Sequence, residues 1–238
     1  MTQPRSGGPS VHDIIGRTRY LLLDFDGPIC DIYAGTPDIT VADHLRKLLT
    51  DQDIALPAGI AATSDPLAVF TWSATVSAEL AAQVEAEMTE QETAAVPTAR
   101  PNAYVHEVMD ACRETGRTVA VVSNNSHQAV RTYLERHSLD GRVTLIAART
   151  SPDPALLKPS PYLINQAVRE LSAPPQECVL VGDSTTDIQA GHLAGIDTIG
   201  YANRQGKHES LTSAGATAVI LSLADLVLPL RATRPGSP

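Results

Sequence analysis

Three consecutive leucines, Leu21, Leu22 and Leu23, run directly into Asp24-Phe25-Asp26-Gly27. An apolar run of this kind reads as a buried strand. Along an extended chain, residues two apart point the same way, so Asp24 and Asp26 present their carboxylates to one spot just past the strand end. Two anions held that close are unfavourable unless a cation or a shared proton relieves them. Whatever fold the chain adopts must supply that relief, and this requirement limits the choices sharply.

At 238 residues the chain suits one large domain or a core with an insert, and its 43% hydrophobic and 19% charged content is that of a globular protein. A net charge of -9 argues against a nucleic-acid partner. No apolar run approaches the length of a membrane span, which argues against a membrane partner as well. Cys30, Cys112 and Cys178 are widely spaced and form no zinc pattern. They suit a reducing cytosol, and the first ten residues lack the apolar segment of a secretory signal, so a cytoplasmic location is expected. Residues 1–15 and 231–238 read as loose tails, and the chain as a monomer or homodimer.

The first strand is expected over residues 20–24. Thr40 then reads as an N-cap ahead of Val41, Leu45, Leu48 and Leu49, which share one helical face. A second helix is expected from Asp65, with Pro66 in its first turn, and a third carries Val76, Leu80, Val84 and Met88 at four-residue steps. No strand pattern interrupts residues 40–95, so residues 32–100 read as a helical insert closed by the prolines at 97 and 101. From Asn102 the pattern alternates. Helices are expected over 103–115, 126–137, 160–171 and up to Ala194, and strands over 118–122, 143–147, 178–181, 197–199 and 218–221. The fold class is therefore α/β: a Rossmann-like, mainly parallel sheet with helices on both faces, formed by residues 16–31 and 101–230. Ligands of such sheets bind beyond the carboxyl ends of the strands. The polar clusters Asp24/Asp26, Ser123/Asn124 and Asp183/Asp187 all fall there.

Asp183 and Asp187 lie four apart at a helix start, hence on one face. Together with Asp24 and Asp26 they form an all-oxygen donor set, which points to Mg²⁺ rather than zinc. Lys158 is one of three lysines in the chain and precedes a helix on the same side of the sheet. An ammonium there neutralises an incoming phosphate and the acid that attacks it. Ser123 and Asn124 add a hydroxyl and backbone N–H donors where the next helix begins, a natural anion site. These parts suit phosphoryl transfer. An aspartate is a competent nucleophile toward phosphorus, a divalent ion and a lysine remove the repulsion between anions, and a second acid moves the proton.

Asp24-Phe25-Asp26-Gly27, Ser123-Asn124, Lys158-Pro159 and Gly182-Asp183 with Asp187 resemble, in order, the four motifs of the haloacid dehalogenase-like (HAD) hydrolase superfamily. The resemblance is to its phosphoglycolate-phosphatase-like branch with a helical cap and spans residues 18–227. It implies a Mg²⁺-dependent phosphatase acting on a small phosphorylated metabolite through an aspartyl-phosphate. Asp24 would be nucleophile and metal ligand. Asp26 would be the general acid/base, its carbonyl on the metal. Ser123, Asn124 and Lys158 would hold the phosphoryl group, Asp183 would bind the metal, and Asp187 would support the metal or Lys158. The insert would be a mobile cap. Pro28 departs from the family pattern, which usually has Thr or Val there, and implies a stiffer turn into the cap.

Blander readings exist for each part: Asp183 as an N-cap, Lys158 as a surface lysine, and Cys30 as a half-buried thiol of no catalytic use. Two functional alternatives also stay open. One is a phosphomutase or phosphotransferase of the β-phosphoglucomutase type; the other is a non-catalytic binding or regulatory module.

Overall fold

The leucine run is a central strand. A computed structural model describes residues 8–235, and the outermost parts of both expected tails lie outside them. In chain order the elements are α1 (Val11–Arg17), β1 (Tyr20–Leu23), β2 (Cys30–Asp31), α2 (Asp38–Thr50), α3 (Ala58–Ala62), α4 (Pro66–Val76), α5 (Ala78–Ala95), β3 (Arg100–Pro101), α6 (Val105–Glu114) and β4 (Thr118–Ser126). They continue with α7 (His127–Arg136), β5 (Leu145–Arg149), α8 (Tyr162–Glu170), β6 (Cys178–Gly182), α9 (Thr185–Ala194), β7 (Asp197–Tyr201), α10 (Lys207–Ser213), β8 (Ala218–Ile220) and α11 (Ala224–Ala232).

Six strands form one sheet in the order β5-β4-β1-β6-β7-β8, with every pairing parallel. The chain builds outward from β1 to β5, then returns and builds the other way from β6. Strand order therefore reverses beside β1, and the crevice at such a reversal is where doubly wound sheets bind ligands. Side-chain alternation along β1 serves both faces. Leu21 and Leu23 pack with residues of α1, α6, α7 and α11, whereas Leu22 packs with residues of α8 and α9. All three leucines are fully buried, which is what an unbroken apolar run in a parallel sheet requires.

Helices α2, α4 and α5 have an apolar core of their own, with Leu45, Leu49, Phe70, Val84 and Met88 among its buried members. Leu157, the residue before Lys158, enters it. The chain leaves for these helices at β2 and returns at β3, and the two short strands pair antiparallel. The carboxamide of Asn102 donates to the Gly27 carbonyl at 2.7 Å and its N–H donates to Ile29 O at 3.0 Å, tying departure to return.

Some local expectations need correction. Residues 11–15 belong to α1 instead of a loose tail. Ser10 and Asp13 form a capping box, and Ile14 and Ile15 are fully buried. At the other end α11 continues through Arg231 and Ala232. Thr40 lies inside the first turn of α2, which starts at Asp38 after Pro37. Val76 ends α4 and is half exposed. Ser77 breaks the helix there and caps α5 by accepting from the Leu80 N–H, so Val76 is not on the α5 stripe. Pro28 needs no N–H. Ile29 and Cys30 both donate to Phe25 O, Gly27 donates to Cys30 O, and Pro28 is buried inside that turn.

Arg117, at the entry to β4, ties α1 and α11 to the sheet. It is 5% exposed and donates to the carbonyls of Ile15, Thr18, Leu230 and Thr233 and to the hydroxyls of Thr115 and Thr233. The carbonyls at the ends of α1 and α11 thus meet one cation, which suits the negative end of a helix. Arg117→Met leaves those buried acceptors without a donor and is expected to destabilise the fold by about 3 kcal/mol or more. Urea unfolding checks this through a lower midpoint at unchanged slope.

Candidate active site

Asp24 is the first residue past β1. Its N–H still donates to Val181 O at 2.9 Å, so the carboxylate is fixed by the sheet, and the Phe25 N–H then donates to Asp24 Oδ1 at 2.8 Å. Lys158 arrives from the loop between β5 and α8 and is 5% exposed. Its ammonium is 2.8 Å from Asp24 Oδ1, 2.5 Å from Asp187 Oδ1 and 3.1 Å from the Val122 carbonyl. Three donors meet three acceptors, so the group is fully used. Asn124 fixes the backbone of the same lysine. Its Oδ1 accepts from Lys158 N–H at 2.8 Å and its Nδ2 donates to Lys158 O at 3.1 Å.

The other two acids come from the turn after β6. Asp187 is fully buried, and its second oxygen accepts from Ser184 N–H at 3.0 Å in a capping box. Gly182 lies against it: a Cβ there would overlap the Asp187 carboxylate. Asp183 has one oxygen, Oδ2, held by Asn203 Nδ2 at 3.0 Å and by the Lys207 ammonium. Gly27, at φ +105°, leaves room for the same carboxylate. Asp24, Asp183 and Asp187 each offer an oxygen within 4.8 Å of the others. That donor set fits a hard divalent cation. Asn203 Oδ1, buried beside Asp183 with no partner, is a further orphaned oxygen at this place.

Electrostatics give the same picture. Burial, with the Asp187 charge second, pushes the Asp24 carboxyl up to about 8 against the opposing pull of Lys158. For Lys158, burial alone would lower the ammonium, but Asp187 and Asp24 outweigh it and hold it above the ordinary lysine range. Lys158 therefore does not offset burial and the Asp187 charge together, and a cation beside Asp24 would favour its charged form. Burial pushes the Asp26 carboxyl up to about 7 although Ile32 N–H donates to it at 3.1 Å. A group with that pKa gives and takes a proton near neutrality.

Ser123 is fully buried at the bulged end of β4, accepting from Asn125 N–H at 3.1 Å. Ser126 caps α7. A cavity of about 280 Å³ opens over these groups. Asp24, Asp26, Asn124, Lys158, Asp183 and Asp187 line it from the sheet, and Tyr33, Asp38, Asp65, Leu67, Met88 and Glu92 from the chain between β1 and β3. The structure thus brings all the sequence-nominated residues to one end of the sheet, with Ser123 buried just behind the wall. Cys30 is buried next to them, and burial raises its thiol well above the ordinary range, so it offers no thiolate. Among the described residues all three cysteines are free, and no helix is long and apolar enough to cross a membrane.

Sequence reasoning missed Lys207, Asn203, Arg149 and Glu92. One signal was available: the four-residue stripe Leu80, Val84, Met88 continues to Glu92 and so places a carboxylate on a buried face.

A family model for haloacid dehalogenase-like hydrolases matches residues 21–201. The chain belongs to the haloacid dehalogenase-like hydrolase family. Its similarity runs to the phosphoglycolate-phosphatase-like branch. A phosphoglycolate phosphatase from Vibrio vulnificus is 29% identical over 124 residues, 52% of this chain and 53% of that protein. A pyrophosphatase PpaX from Halalkalibacterium halodurans is 31% identical over 106 residues, 44% of this chain and 48% of that protein. The chain thus spans about half the length of the curated relatives it matches. The fold is shared with a Clostridium acetobutylicum structure described as a predicted phosphatase, at TM-score 0.69 and 18% identity, covering 88% of this chain and 96% of the other. A Haemophilus somnus structure described as a predicted phosphoglycolate phosphatase gives TM-score 0.61 at 19% identity, covering 89% and 97%.

In this HAD-like site the close approach of Gly27 to Asp183 is directly testable. Gly27→Ala strains the turn by about 1–3 kcal/mol and displaces the Asp183 carboxylate. Added Mg²⁺ is expected to raise the melting temperature of the wild type and not that of Gly27→Ala. Equal shifts in both would contradict the geometry.

Proposed function

We propose that the chain is a Mg²⁺-dependent phosphatase that hydrolyses a small phosphomonoester through an aspartyl-phosphate on Asp24. The observation that carries the reading is the Lys158 ammonium held between Asp24 and Asp187, with Asp183 in the same cluster and Asp26 lining the same cavity, at the point where strand order reverses. The relatives' names, phosphoglycolate phosphatase and pyrophosphatase, support a phosphate-ester or anhydride substrate. A cavity of about 280 Å³ supports a small one.

Asp24 attacks phosphorus, and Lys158 offsets the charge that nucleophile and phosphate bring together. Asp26, with its raised pKa, protonates the leaving oxygen, then takes the proton of the water that hydrolyses the acyl phosphate. Ser123 and Asn124 hold and shape the loop that receives the phosphoryl oxygens. Asp24, Asp183 and the Asp26 carbonyl would hold Mg²⁺, with Asp187 in support, and the ion would supply charge neutralisation there. The segment 32–100 serves as the cap. It closes the cavity on the leaving-group side and excludes water.

The test is hydrolysis of p-nitrophenyl phosphate and of alkyl phosphates with and without Mg²⁺. Asp24→Asn is expected to lower kcat by at least about 10³-fold on every ester. Asp26→Asn is expected to lower alkyl-phosphate turnover by about 10²–10⁴-fold yet still release a burst of nitrophenolate, a leaving group that needs no proton. Near-wild-type turnover by Asp24→Asn, free of reversion by deamidation, would sink the proposal.

A further inference from the structure

Among the described residues, the most fully buried charge pair outside the acid cluster joins α5 to the end of β5. The Arg149 side chain is 0% exposed and that of Glu92 2%. The guanidinium meets Glu92 through two contacts, Nη2 to Oε2 at 3.0 Å and Nη1 to Oε1 at 3.2 Å. It also donates to Glu85 Oε1 at 3.0 Å and Thr89 Oγ1 at 3.3 Å on the same helix, and it lies over the Phe70 ring of α4.

The same two side chains grip the loop that follows Ser123. Arg149 Nη1 donates to Asn124 O at 2.8 Å. Glu92 Oε2 accepts from Ser126 N–H at 2.7 Å, and its Oε1 accepts from Asn125 Nδ2 at 3.3 Å. Asn124 in turn clamps the backbone of Lys158. A continuous set of hydrogen bonds, charge-assisted as far as Asn124 and neutral from its carboxamide to the Lys158 backbone, therefore runs from α5 to the lysine between Asp24 and Asp187.

An apolar contact of equal volume would pack α5 against the sheet at least as well, because burying two charges carries a large desolvation penalty. It would not fix the direction of a carbonyl at Asn124 and an N–H at Ser126 together. We propose that Arg149 and Glu92 are positioning residues that couple seating of α5 to the shape of the phosphate-binding loop, so that the phosphate site is complete only when the insert is docked. The inference rests on the phosphatase reading. Coupling of this kind is reciprocal: a ligand that orders the loop also tightens α5.

The probe is inorganic phosphate with Mg²⁺ present. Phosphate is expected to slow hydrogen–deuterium exchange of the amides over residues 85–92 in the wild type. The double variant Glu92→Gln/Arg149→Met leaves neither partner charged, and its amide can still accept from Ser126 N–H. Its inhibition constant for phosphate is expected to rise by about tenfold, the scale of one lost charge-assisted hydrogen bond. The exchange protection should vanish in the folded variant, and the loss of affinity should exceed that of any surface-charge control. If that variant does not fold, the wild-type exchange experiment decides alone. Unchanged exchange in the wild type on adding phosphate, or wild-type phosphate affinity in the folded double variant, overturns the inference. A wild type that neither hydrolyses p-nitrophenyl phosphate nor binds phosphate overturns the phosphatase reading, and this inference with it.

Discussion

The ammonium of Lys158, held between Asp24 and Asp187, is the contact on which the rest of the site depends. Without it the buried carboxylates of Asp24, just past β1, and Asp187, in the first turn of α9, would face each other without a cation, and the cost would fall on the fold. The sheet supplies the geometry. β1 and β6 are neighbours because strand order reverses there, so their two carboxyl ends deliver acids to one place. Glycines at 27 and 182 leave the space into which the carboxylates of Asp183 and Asp187 fit. The lysine relieves part of this crowding. Asp24 remains raised to about 8, because burial and the Asp187 charge outweigh the pull of Lys158.

A second buried charge arrangement, Arg149 with Glu92, stands at the other side of the loop after β4. The two arrangements share Asn124, whose side chain clamps Lys158 and whose carbonyl receives Arg149. The segment over the cavity is thus joined to the sheet by more than its two connecting strands. Leu157 adds an apolar anchor by entering that segment's core one residue before the lysine.

Much of this was legible in the sequence because it is local. Leu21 to Leu23 announce a buried strand, Asp24 and Asp26 follow at period two, and Asp183 and Asp187 follow at period four at a helix start. The parallel sheet follows from alternating apolar runs and amphipathic stretches. What escaped depends on partners far along the chain. Arg117 looks like any charged residue at a strand entry until α1 and α11 bring their carbonyls to it. Residues 11–15 read as tail because two isoleucines are too short a pattern, and their burial depends on α11. Lys207 and Asn203 reach Asp183 from beyond β7, and no spacing rule links them to it. Val76 fits a four-residue stripe in the sequence, yet Ser77 ends its helix.

The central claim is that Asp24 becomes phosphorylated. Acid quench within the first turnover, using an ester carrying radiolabelled phosphate and Mg²⁺, followed by peptide mapping, tests it most directly. The account predicts label on the peptide containing Asp24, released by hydroxylamine as an acyl phosphate is. Turnover with the label on any other side chain would contradict it.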